Sequence, residues 1–120
     1  MGKKIILAID DNVQQLTEFK TILVPNYDFR AVKAASEALN FLNNNQVDLI
    51  LLDIEMPNIS GFEFLEDIRK IPSYIKVPII IVSGNTGEEF FTKAKNSSAA
   101  DVLSKPVGPH ILIDAIEKNL

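Results

Sequence analysis

The chain has 120 residues, 47% of them hydrophobic, a net charge of −4 and no cysteine. This length and apolar content fit one domain over residues 1–120 with an ordinary core. Without cysteine there is no disulfide framework and no thiolate ligand or nucleophile, so the cytoplasm is the expected compartment, and an acidic chain with no basic stripe is not expected to bind nucleic acid.

From the N-terminus, the apolar run Lys4 to Ile9 reads as a strand, too short for a signal-peptide core or a membrane span, so no membrane partner is expected. Val13, Leu16, Phe19, Ile22 and Leu23 recur at helical spacing, and Pro25-Asn26 closes that helix. A short strand is expected around Phe29 to Val32. A helix with Ala38, Leu39 and Leu42 on one face follows and unwinds at Asn43 to Asn45. Val47 to Asp53 reads as a strand, continuously apolar from Leu49 to Leu52, and Phe64, Leu65 and Ile68 mark a helix that Pro72 stops. Val77 to Gly84 is the most apolar strand. Thr86 and Glu89 have capping-box spacing for a helix running to about Asn96, on which Phe90 and Phe91 lie about 100° apart, so both are not expected to be buried. The last strand is Ala100 to Lys105. Gly108-Pro109 then opens a final helix with Leu112, Ile113 and Ile116 facing inward.

Five strands alternating with five helices predict an α/β fold with a parallel sheet covered on both faces, which explains why its strands are apolar throughout. Such sheets bind ligands beyond the carboxyl ends of their strands. The residues at those ends are Asp10, Asp11, Asp53, Ser83 and Lys105. Three carboxylates at one edge repel one another unless a cation sits among them. Mg²⁺ suits the set, being a hard ion that binds through one or two carboxylates plus phosphoryl oxygens.

At these residues the chain resembles the receiver domains of two-component response regulators. The resemblance rests on the pair Asp10-Asp11, on Asp53 within DIEMPNISG, on Ser83-Gly84 and on Lys105-Pro106, and it spans essentially the whole chain. It implies a flavodoxin-like fold with strand order 2-1-3-4-5. It further implies that Asp53 accepts a phosphoryl group, with Mg²⁺, from a phosphohistidine on a sensor kinase or phosphotransfer protein. Asp11, Asp53 and the backbone carbonyl of Glu55 would ligate the ion, and Asp10 would hold a metal-bound water. Lys105 would pair with Asp53 before transfer and with a phosphoryl oxygen afterwards. Ser83 would donate its hydroxyl to the phosphoryl group, and Lys105-Pro106 would be a cis peptide. The expected output is a shift of the surface from about Glu88 to Leu120, in a stand-alone switch rather than an enzyme.

Each residue taken singly has a plainer reading: Asp11 or Asn12 as a helix cap, Ser83 as a loop hydroxyl, Lys105 as a solvated charge. The doubled aspartate together with Asp53 favours metal. His110, in the first turn of the last helix, reads as an exposed bystander. The sequence departs from the usual receiver pattern at Val102 and Val107, where aromatic residues are frequent. One rival reading is an Mg²⁺-dependent phosphohydrolase, but in the haloacid dehalogenase type a second carboxylate stands two residues after the nucleophile, and here Asn12 occupies that place. The other is a phosphorylation-dead pseudoreceiver, which the complete acidic set and Lys105 argue against.

Overall fold

The computed structural model describes residues 2–120. Five strands, β1 (Ile5–Ile9), β2 (Asp28–Val32), β3 (Leu49–Asp53), β4 (Ile79–Ser83) and β5 (Asp101–Ser104), alternate with α1 (Val13–Leu23), α2 (Ala35–Asn44), α3 (Gly61–Arg69), α4 (Glu88–Lys95) and α5 (Pro109–Asn119). The strands form one parallel sheet of order β2-β1-β3-β4-β5, the flavodoxin-like arrangement expected.

The two-residue period of a strand sorts the core into two layers. Leu7, Ile9, Ile50, Leu52, Ile79 and Ile81 join Ala38 and Leu42 of α2, Phe64, Leu65 and Ile68 of α3, and Phe90 and Ala94 of α4. Their neighbours Ile6, Ala8, Leu49, Leu51, Ile80 and Val82 join Leu16, Phe19 and Leu23 of α1 and Leu112, Ala115 and Ile116 of α5. All ten residues of β3 and β4 are buried as a result, so their last residues, Asp53 and Ser83, stand on the central, fully covered strands of the sheet.

Several local expectations are revised. No capping box forms at Thr86: α4 starts one residue later, with Gly87 as its cap and no side-chain cap bond, because the Asn85 side chain accepts the Gly87 amide at 2.8 Å. The asparagines after Phe41 extend α2 to Asn44 instead of unwinding it. Their side-chain amides donate back to the carbonyls of Leu39, Asn40 and Phe41 at 2.8 to 3.0 Å, adding a side-chain donor to each of these carbonyls of the last turns. Ile113 is only partly buried, and Ala115 takes the inward place beside Ile116. Phe90 and Phe91 behave as expected, the first buried and the second 40% exposed, with their rings edge to face at 5.4 Å.

A short 3₁₀ turn, Pro72–Tyr74, lies between α3 and β4. Its Tyr74 ring is fully buried, and the hydroxyl donates to the Asn45 carbonyl. Arg69 fastens this turn in place. Its guanidinium donates to the carbonyls of Tyr74 and Val77 at 2.7 and 2.6 Å and to the hydroxyl and carbonyl of Ser98 at 2.9 Å each. Arg69→Ala leaves those acceptors in three segments without their donor. Chemical denaturation should show a stability loss of about 2 kcal/mol, the usual consequence of removing a multiply bonded charged donor.

Candidate functional site

The ends of β1, β3, β4 and β5 converge at one edge of the sheet. β1 continues by one more ladder bond, from the Asp10 amide to the Val32 carbonyl at 3.2 Å, and β5 by another, from the Lys105 amide to the Ser83 carbonyl at 2.8 Å. The register sets Asp10 level with Asp53, which faces Val82, while Lys105 stands two residues beyond Leu103, the residue of β5 on that level, and its side chain reaches back toward the two carboxylates.

Asn12, not Asp11, caps α1: its side chain accepts the Gln15 amide at 3.1 Å. The helix-cap alternative is thus met by the neighbour, and the Asp11 carboxylate takes no part in capping. Asp10 is 2% exposed and Asp53 4%, and one oxygen from each of Asp10, Asp11 and Asp53 lies within 4.8 Å of the others. Lys105 Nζ is 3.2 Å from Asp10 Oδ2 and 3.6 Å from Asp53 Oδ2. The expected pairing of Lys105 with Asp53 is present, and Asp10 is the nearer partner. The Lys105-Pro106 bond is cis.

Three carboxylates around one ammonium leave a surplus of negative charge in a poorly solvated place. Burial pushes the Asp53 carboxyl up to about 6 from an ordinary 3.8, and the Asp10 charge adds to the rise. The Glu55 amide, donating to Asp53 Oδ1 at 3.1 Å, and the Lys105 ammonium oppose it. An all-oxygen, anionic and partly desolvated donor set of this kind fits a hard divalent cation.

The Ser83 hydroxyl is 1% exposed and points elsewhere. It donates to Glu55 Oε1 at 2.6 Å and accepts the Asn85 amide at 3.0 Å. The Gly84 amide donates to the same Glu55 oxygen at 3.1 Å. The spacing of residues in the chain carries no signal for this bridge, since Glu55 and Ser83 lie 28 positions apart on different loops. His110 is exposed on α5, as expected, and Val102 is partly buried against the core layer that holds α4.

The model of the response regulator receiver domain family matches residues 6–117. The chain belongs to that family. This receiver is 32% identical over 114 residues to the CAI-1 autoinducer sensor kinase/phosphatase CqsS of Vibrio cholerae, a match covering 92% of the chain and 16% of the kinase. It is 31% identical over 120 residues to the probable transcriptional regulator ycf29 of Porphyra purpurea, covering all of the chain and 57% of that protein. The receiver therefore spans less than two thirds of the length of these curated relatives. Among solved structures, the chemotaxis protein CheY4 of Vibrio cholerae superposes with a TM-score of 0.92 at 27% identity, over 99% of this chain and 100% of the other. Among the described residues, no helix is long and apolar enough to cross a membrane.

Proposed function

We propose that this receiver is a phosphoacceptor in which Asp53 takes a phosphoryl group from a phosphohistidine of a sensor kinase or phosphotransfer protein. An oxygen of the Asp53 carboxylate attacks phosphorus in line, the new O–P bond forms as the N–P bond breaks, and the electron pair stays on the imidazole nitrogen. The observation that carries the reading is the gathering of the Asp10, Asp11 and Asp53 oxygens within 4.8 Å of one another beside a single ammonium.

Asp11, Asp53 and the Glu55 carbonyl would hold Mg²⁺, with Asp10 acting through a bound water. When bound, the ion neutralises phosphoryl oxygens and aligns them for attack, which is most of what phosphoryl transfer requires of its surroundings. Lys105 then leaves its carboxylate partners for a phosphoryl oxygen, a charge-assisted contact. The Ser83 hydroxyl turns to donate to the same group. The rigid seat of Asp53 on β3 keeps the attacking oxygen in line, so positioning rather than proton transfer is the chain's main contribution.

The output is a change in preference of the face built from α4, β5 and α5. Two exposed apolar side chains, Phe91 and Ile111, supply contact area there. Val102 has no ring to move when Ser83 moves, so the coupling passes through the loop between β4 and α4 and through side-chain packing.

Incubation with Mg²⁺ and acetyl phosphate should add one phosphoryl group, seen as a single alkali-labile adduct by intact mass measurement. The Asp53→Asn variant should carry none. A persistent adduct in that variant, or steady hydrolysis of many phosphate esters by the parent, would overturn the reading.

A further inference from the structure

A serine hydroxyl has one proton to donate. In this receiver the Ser83 proton is already committed to the Glu55 carboxylate at 2.6 Å, and the same carboxylate oxygen accepts the Gly84 amide at 3.1 Å. Hydrogen bonds to a carboxylate are stronger than those to neutral acceptors. A Ser83 hydroxyl so held cannot donate to anything on Asp53 until Glu55 lets go. Glu55 is itself fixed at its backbone, where its amide donates to Asp53 Oδ1 at 3.1 Å. One residue thus touches the acceptor carboxylate with its main chain and the switch hydroxyl with its side chain.

We infer that the Glu55 carboxylate is a latch that stabilises the unphosphorylated state: it competes with the phosphoryl group for the Ser83 hydroxyl and ties the β4–α4 loop to the β3–α3 loop until phosphorylation releases it. This rests on the phosphoacceptor reading of Asp53 and Ser83, and it assigns Glu55 a positioning role acting through Ser83. Release frees two donors of the β4–α4 loop together, so the event at Asp53 reaches the start of α4 directly. In a chain with Val102 instead of an aromatic ring, that gives the switch a physical route to its surface.

The latch has two separable consequences. In the untreated protein, the Gly84 amide should be protected from hydrogen exchange. That protection should fall in Glu55→Ala and survive in part in Glu55→Gln, whose neutral amide oxygen still accepts. Under titration with beryllium fluoride and magnesium, followed by the same amide resonance, Glu55→Ala should saturate at a concentration lower by about three- to tenfold, the worth of one ordinary net hydrogen bond. Glu55→Gln should lie between it and the parent.

Introduced into a Ser83→Ala background, Glu55→Ala should then shift the midpoint by less than about twofold, because the competition no longer exists. An equal shift in both backgrounds would show that Glu55 acts only by repelling the anion and would overturn the latch, as would a Gly84 amide indifferent to Glu55. If beryllium fluoride binds no protein in the set, the parent included, the phosphoacceptor reading falls. Gly84 exchange in untreated protein then decides by itself whether Glu55 holds the loop.

Discussion

Asp53→Asn should abolish the phosphoryl adduct and, in magnesium-free buffer at pH 7.5, raise the melting temperature by about 5 °C. The two effects have one origin. Asp53 ends a fully buried strand beside Asp10, and burial holds its carboxyl at about 6 against an ordinary 3.8. The folded protein therefore binds this proton more tightly than the unfolded chain does. Stability contributed by the group is whole below the ordinary value and declines as pH rises through the window from 3.8 to about 6. Above that window the ionised carboxylate destabilises the metal-free fold. The full difference corresponds to about 3 kcal/mol. Solvent reaching the site and the loss of the Lys105 contact at 3.6 Å reduce the expected gain to about 1–2 kcal/mol. Asparagine is nearly isosteric and neutral, so it removes the charge without opening a cavity. The gap between variant and parent should close as pH falls to about 4, where the parent carboxyl is itself largely neutral. Adding Mg²⁺ should raise the melting temperature of the parent and narrow the gap from the other side. A variant that melts with or below its parent at pH 7.5 would mean that Lys105 already compensates the buried charge.

The layered fold was legible because its signal is periodic. Apolar runs such as Leu49 to Leu52 and Ile79 to Val82, short, rich in branched residues and bounded by turn signals, read as strands covered on both faces, and helical spacing in Leu16, Phe19 and Leu23 marks a buried stripe. The gathering of Asp10, Asp11, Asp53 and Lys105 followed from topology alone, since parallel strands deliver their carboxyl ends to one edge. What escaped the sequence were bonds made between loops. The Glu55 to Ser83 bridge joins positions 28 apart, and Arg69 reaches Ser98 across 29. Neither contact has a local pattern. The opposite failure occurred at Thr86, where a local pattern was present and the chain did not use it. Asn85 took the Gly87 amide first, and the helix began from Gly87 instead.

Gly61→Ala should be strongly destabilising for a change of one methyl group, because it acts where the loop after Asp53 enters α3. Gly61 is the buried first residue of α3, and a methyl group on it would lie 2.6 Å from Ile54 Cγ1 and 2.7 Å from Ile54 Cα, and it would also overlap the Ile54 carbonyl. The backbone of Ile54 cannot yield as the tip of a flexible side chain could. It follows directly on Asp53, and Ile54 is itself packed in the core. Relief therefore requires the segment from Ile54 to Ser60 to move, including Asn58, which already adopts a left-handed φ of 65° that asparagine tolerates better than most residues. Overpacking against rigid backbone of this kind should lower stability by about 3 kcal/mol, or about 10 °C in melting temperature. Any displacement also carries the Glu55 amide off Asp53 Oδ1 and its carboxylate off Ser83. Enough protein should still fold at low temperature for the adduct to be measured, and its yield should fall with the misplaced loop. Gly108→Ser is the matched control: a Cβ there meets nothing within 4 Å, the φ of −72° suits any residue, and serine is a good cap for α5. That variant should melt with or slightly above the parent and accept the phosphoryl group normally, so a deficit confined to Gly61→Ala would locate the effect in the Ile54 contact.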